Sequence, residues 1–228
     1  MKKIAIYFIA LLATFTMQAC TDIDDKDQTL LENENYSDEN TSDKVDLNDS
    51  EINLIKNITM KTNVEKGDQI ATITTNKGDI KMFFYPDLAP ETVKNFTELA
   101  KAKKYDGVIF HRVINDFMIQ TGDFENNDGT GGYSYKGEGT IITDEFGAGL
   151  KNTRGAVSMA NRGPNTGGSQ FFIVQAKDGA DWLNGKHAVF AFVYEGMDIV
   201  DEIATAEKNL SDRPLEDIVM ESVEISNY

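Results

Sequence analysis

The 228-residue chain has one Cys, two His and four Pro, and its 22 basic side chains face 38 acidic ones. A net charge of −16 argues against a nucleic acid partner, because phosphate binding needs clustered Lys and Arg. One Cys excludes an internal disulfide framework, and with only two His it also argues against a structural zinc site. Glycine is missing before Gly67 and proline before Pro86. Of the aromatics, only Tyr7, Phe8, Phe15 and Tyr36 precede residue 66. The front of the chain therefore lacks the means to build a core, and 66–228 is expected to hold the single folded domain.

What the front does contain is an address. Lys2 and Lys3 precede the apolar run Ile4–Ala13, which is shorter than the about 20 residues that a membrane-crossing helix needs. Small Ala19 and then Cys20 follow. The arrangement resembles a bacterial lipoprotein signal, in which the Cys is acylated and becomes the new N-terminus. Met17 stands where that pattern prefers Leu, and Gln18 is also atypical. An ordinary secretory signal with an incidental Cys, or an uncleaved anchor, are the alternatives. Residues 1–19 are expected to be a signal peptide and Cys20 the lipid attachment site. The protein then sits in the bacterial cell envelope, at the outer membrane, held by its lipid alone; which face it occupies stays open.

Residues 20–65 are expected to be an acidic, disordered tether. Positions 21–65 carry 13 acidic and 4 basic side chains, and such a like-charged, apolar-poor segment extends. Ile52, Ile55 and Ile58 recur every third residue and allow a short helix there. The run Asp22–Asp27 resembles the acidic signal that sends some bacterial lipoproteins to the outer surface; a plain solvated charge run is the alternative.

Beyond residue 66 the pattern is mainly β. Alternation marks strands at Gln69–Thr75, Asp79–Tyr85, Val108–Ile114, Phe117–Thr121, Ala156–Met159, Gln170–Val174, Ala188–Val193 and Asp217–Ile225. Pro90 can open a helix, and Val93, Phe96, Leu99 and Ala100 form one apolar stripe at helical spacing. Met197, Val200, Ile203 and Ala204 mark a second helix. About eight strands and two helices suggest a closed eight-stranded antiparallel barrel capped by two helices, since closure removes exposed edges.

Three segments carry a more specific signal. They are Phe110-His111-Arg112-Val113-Ile114-Asn115-Asp116-Phe117-Met118-Ile119-Gln120-Thr121-Gly122-Asp123-Phe124, then Ser158-Met159-Ala160-Asn161-Arg162-Gly163-Pro164-Asn165-Thr166-Gly167-Gly168-Ser169-Gln170-Phe171-Phe172-Ile173, then Trp182-Leu183-Asn184-Gly185-Lys186-His187-Ala188-Val189-Phe190. Together they resemble the cyclophilins, the peptidyl-prolyl cis-trans isomerases that bind cyclosporin, over about Gln69 to Ile225.

The chemistry that this resemblance implies is physical rather than covalent. Rotation about an X-Pro bond faces a barrier of about 20 kcal/mol, set by amide resonance. A catalyst holds the proline ring and favours the twisted amide over the planar one. A hydrogen-bond donor beside the prolyl nitrogen does so, and the always-charged Arg112 is the candidate. The resemblance gives Arg112 that role and makes Phe117, Met118, Phe172 and Leu183 the ring pocket, bordered by His187. It has Gln120 hold the Arg112 guanidinium, Asn161 with Ala160 beside it grip the backbone before proline, and Gln170 face the same groove. Trp182 matches members that bind cyclosporin. His111 is expected to be structural, hydrogen-bonded within the sheet. The implied substrates are X-Pro segments of unfolded or flexible proteins, with cyclosporin as an inhibitor, no cofactor, no metal and a monomeric state. Asn115-Asp116 replaces the Pro-Gly of many members, and Arg162 replaces a small residue near an outer pocket. A non-catalytic surface lipoprotein that displays the groove as a peptide-binding module is the alternative function, with general chaperoning a third.

Overall fold

The computed structural model describes residues 60–228. The expected signal peptide, Cys20, the Asp22–Asp27 run and the isoleucines of 51–59 lie outside the described residues.

The chain opens with β1 (Gln69–Thr75) and β2 (Gly78–Phe84), an antiparallel hairpin turned over Asn76 and Lys77. Thr75 Oγ1 fixes that turn by accepting from the N–H groups of Lys77 and Gly78. Helix α1 (Pro90–Lys101) follows, with Pro in its first turn, Glu91 at its positive end and Lys101 at its negative end. Ala89 offers no side-chain cap. The cap comes instead from Glu145, whose carboxylate accepts from Glu91 N at 3.1 Å and Thr92 N at 2.7 Å. The expected stripe of Val93, Phe96, Leu99 and Ala100 is buried. Phe96 meets Tyr105, Phe171, Phe190 and Phe84 with ring centroids 5.0, 5.2, 5.5 and 5.7 Å away.

Short strands β3 (Val108–Ile109), β4 (Arg112–Ile114), β5 (Met118–Thr121), β6 (Ala156–Met159) and β7 (Phe171–Val174) come next, then a 3-10 turn (Asp181–Leu183) and β8 (Val189–Glu195). Helix α2 (Met197–Ala204) buries Val200, Ile203 and Ala204. It starts at Gly196, whose φ is +91° and where an added Cβ would lie 2.3 Å from the Asp79 carbonyl, so glycine is required. Strand β9 (Val219–Asn227) ends the chain.

These strands form one curled nine-stranded sheet in the order β3-β9-β1-β2-β8-β6-β7-β5-β4. The expected closed eight-stranded barrel is corrected on both counts. The stretch Val108–Ile114 does not stay one strand. It pairs with β9 through Val108 and Ile109, then changes partner and pairs with β5 through Arg112–Ile114. The two ends of the sheet are thus successive pieces of one chain joined by Phe110 and His111. They approach each other covalently, and no ladder closes the barrel among the described residues.

One apolar cluster, with Phe96 and Phe171 among its members, fills the curl between sheet and helices. A second lies on the outer face and takes in Phe83, Tyr85, Met118 and Phe172. Met60 and Val64 pack against this outer cluster, and Tyr85 Oη donates to the Lys61 carbonyl. The chain therefore begins to pack on the sheet before residue 66, inside the span expected to be tether.

Candidate active site

Strand alternation builds the apolar half of the site. Ile119 and Phe171 belong to the inner cluster, so their neighbours Met118 and Phe172 point outward. Cross-strand register then sets a row on that outer face: Arg112 stands opposite Gln120, and Gln120 opposite Phe172. One step along, Ile114 stands opposite Met118. Loops complete the surround. The β4–β5 turn, with Asp116 at φ +58°, delivers Phe117; Asp is among the few side chains that tolerate that conformation. The segment after β6 delivers Ala160 and Asn161, and the segment from the 3-10 turn to β8 delivers Leu183 and His187.

Arg112, Phe117, Met118, Gln120, Ala160, Asn161, Phe172, Leu183 and His187 line one cavity of about 150 Å3. Two of the expected groove residues do not line it. Trp182 stands at the rim, 58 % exposed, its ring 5.6 Å from that of Phe117. Gln170 lies behind Gln120 and lines a neighbouring cavity of about 80 Å3 with Arg162 and Thr166.

The hydrogen bonds differ from those expected. Gln120 Nε2 donates to Gln170 Oε1 at 3.0 Å, and no bond to Arg112 forms among the described residues. Gln170 uses its NH2 on the carbonyls of Gly129 (3.0 Å) and Gly131 (2.7 Å). Its oxygen is left to capture the Gln120 amide. Arg112, which has only donors, has a carboxylate as its neighbour instead: Asp212 Oδ2 lies 3.9 Å from its Nε, a long ion pair rather than a hydrogen bond. Asp212 is held by Lys208 at 2.8 Å, and Lys208 also donates to the Val113 carbonyl at 2.9 Å. Both come from the α2–β9 loop, about 100 positions away in sequence, and no local pattern marks them.

His187 is positioned on two sides. Its Nδ1 lies 3.0 Å from the Met159 carbonyl, so Nδ1 carries the proton, and its ring meets Phe172 edge-on at 5.3 Å. Asn161 donates its amide to the Lys186 carbonyl at 2.8 Å. Its main-chain N–H and C=O have no partner among the described residues, which leaves both for a bound backbone. His111 is buried, but the hydrogen bonds expected of it within the sheet are not made: neither ring nitrogen has a partner among the described residues. Burial, the largest influence on it, depresses its pKa and keeps the ring neutral.

Asp123 was not legible as a site residue. Its side chain is buried and accepts from five backbone N–H groups, those of Glu125, Asn126, Asp128, Gly129 and Gly131. Burial pushes this carboxyl up, but the backbone bonds overcome it and hold the pKa below its usual value. Asp123 thereby folds the loop whose carbonyls anchor Gln170, which in turn anchors Gln120.

A family described as cyclophilin type peptidyl-prolyl cis-trans isomerase/CLD matches residues 70–225. A Staphylococcus aureus (strain USA300) protein named as a candidate peptidyl-prolyl cis-trans isomerase is 41% identical over 188 residues, covering 71% of this chain and 94% of its own. A Staphylococcus epidermidis protein of the same name is 42% identical over 177 residues, covering 66% and 88%. Among solved structures, a Cryptosporidium parvum cyclophilin type peptidyl-prolyl cis-trans isomerase superposes with a TM-score of 0.66 at 33% identity, covering 71% of this chain and 99% of its own. The same parasite protein in the presence of the dipeptide Ala-Pro gives 0.65 at 33% identity, covering 70% and 99%.

Proposed function

We propose a folding role in the bacterial cell envelope for this chain, which belongs to the cyclophilin-type peptidyl-prolyl cis-trans isomerases and is an enzyme of that type. In this reading the substrates are X-Pro segments of unfolded or flexible proteins. The observation that carries it is one guanidinium set beside a cavity the size of a small ring with Phe117, Met118, Phe172 and Leu183 in its wall, and with backbone groups of Asn161 alongside that have no partner among the described residues.

The site's work follows from those parts. Phe117, Met118, Phe172 and Leu183 bury the proline ring and so fix one side of the bond. Asn161 takes the backbone before it. The apolar walls withdraw water from the planar amide. As the bond twists, the nitrogen loses its resonance and gains a lone pair, which an Arg112 N–H meets. That bond strengthens only at the twisted geometry, so it lowers the barrier rather than the ground state. His187 bears no proton-transfer duty, because no covalent bond forms or breaks. The test is refolding of a denatured protein whose slow phase is limited by X-Pro isomerisation. Catalytic amounts of the chain should speed the slow phase alone; an unchanged slow phase counts against the reading.

Cyclosporin is expected to inhibit. Trp182 presents an indole N–H at the rim, where it can donate to a ligand carbonyl. Trp182→Phe keeps the ring and loses the donor. Drug affinity, read by titration calorimetry, should weaken about tenfold with turnover retained. Equal affinity in both proteins would refute that use of Trp182.

The envelope assignment rests on the leader and Cys20. Cys20→Ser is expected to move the protein from the membrane to the soluble fraction or to stall its processing. Several acyl chains on one Cys make a firm anchor at about 0.8 kcal/mol per buried CH2. Unchanged fractionation and the absence of lipid by mass spectrometry would remove the anchor. Deleting Asp22–Asp27 separates surface export from a solvated spacer, by protease accessibility on intact cells.

A further inference from the structure

Three cavities meet at Asn161. The proline cavity is the middle one, sharing Gln120, Ala160 and Asn161 with the small cavity at Gln170, and Asn161 and His187 with a third. That third cavity is about 350 Å3, against about 150 Å3 for the proline site, and nothing in the isomerase reading uses it. We infer that it is a second side-chain subsite, which takes an aromatic residue of the same polypeptide whose proline occupies the first. This rests on the isomerase reading above.

Position and rigidity support a subsite. An extended chain advances about 3.3 Å per residue, so one that passes Asn161 or His187 reaches both cavities within about one to three residues of proline. The walls are already in place. Ile142 N donates to the Gly167 carbonyl at 2.8 Å, Asn165 N to Asp144 Oδ2 at 2.7 Å, and Asp144 N to Asn165 Oδ1 at 3.0 Å. Glu145 is tied to the start of α1. Phe146, the next residue, is therefore carried on an anchored loop, yet it is 53 % exposed and joins neither apolar cluster.

The lining selects the class of side chain. Phe146 and Pro164 offer apolar ring surface. The Asp144 carboxylate is engaged by Asn165 and Asn161, so it does not present a bare charge. Lys186 makes no ion pair among the described residues, and its ammonium can lie over an aromatic face. A cavity of this size accepts a Phe, Tyr or Trp ring.

The experiment compares X-Pro peptides that carry Phe or Ala at each of the three positions on either side of the proline, turned over by the full chain and by Phe146→Ala. At one position Phe should lower KM about tenfold in the unaltered chain, with kcat little changed. In Phe146→Ala that advantage should vanish while the Ala peptides keep their KM. Melting temperatures check that both proteins are folded, as expected for a half-exposed side chain. No positional advantage, or one that survives Phe146→Ala, overturns the subsite alone. Failure to turn over any peptide overturns the isomerase reading and the subsite with it.

Discussion

Arg112→Ala is expected to lower kcat/KM for an X-Pro peptide about 100- to 1000-fold with the fold intact. The rate loss is that of removing one preorganised donor to a transition state. The fold survives because Arg112 lies on β4, a short strand at the end of the sheet, and its side chain points outward, half exposed. Its ion pair with Asp212 is long, at 3.9 Å, and a solvent-exposed pair contributes about 1 kcal/mol at most. Packing at this point belongs to Val113, which is fully buried. Arg112→Lys should recover little, because a point charge on a flexible stem does not reproduce the planar fork. Exchange spectroscopy on the peptide at equilibrium reads the rate and circular dichroism reads the fold. Turnover near the unaltered level would remove Arg112 from the mechanism.

Asp123→Ala is the second large effect, and it acts on the fold first. The substitution strips five backbone N–H groups of their acceptor in a buried turn. A buried donor left unsatisfied costs about 1–3 kcal/mol, and water will reach the outer ones, so a loss of about 3–5 kcal/mol is expected. For a domain of this size that is a fall in Tm of about 10 °C. Activity should also drop in the protein that remains folded, because the carbonyls of Gly129 and Gly131 hold Gln170, and Gln170 holds Gln120. The same carboxylate sets a pH dependence. Its folded pKa lies below the unfolded value, so its contribution is complete above about pH 4 and is lost as pH falls through the folded value. The unaltered protein should therefore lose stability below about pH 4 more steeply than Asp123→Ala. A variant with unchanged Tm and the same acid profile would show that the loop does not depend on this residue.

What the sequence made legible was what local pattern encodes. The stripe of α1 and the two strands of the hairpin at Asn76 follow from periods of 3.6 and 2. Sheet closure was not legible, because partner choice is not written in a strand. Val108–Ile114 alternates as one unit, yet it serves two partners at opposite ends of the sheet. The groove residues were found through long motifs, and nine of them share one cavity. Their hydrogen bonds were not legible. Whether Gln120 reaches Arg112 or Gln170 depends on what Gln170 does with its own NH2, and that depends on a loop folded around Asp123. The carboxylate beside Arg112 comes from Asp212 in a distant loop, where a lone Asp gives no local signal. Phe146 was passed over for a related reason: a single Phe in a loop reads as core, and only its exposure shows otherwise.

The central claim is that the groove around Arg112 lowers the barrier to X-Pro rotation without covalent chemistry. Its most direct test is the cis-to-trans rate of a chromogenic X-Pro tetrapeptide, read by a protease that cleaves only the trans form. The expected result is a rate that rises in proportion to the concentration of the chain, to the same extent with and without chelator. A rate that stays at the uncatalysed value, with relaxation over tens of seconds or longer, at every concentration would contradict it.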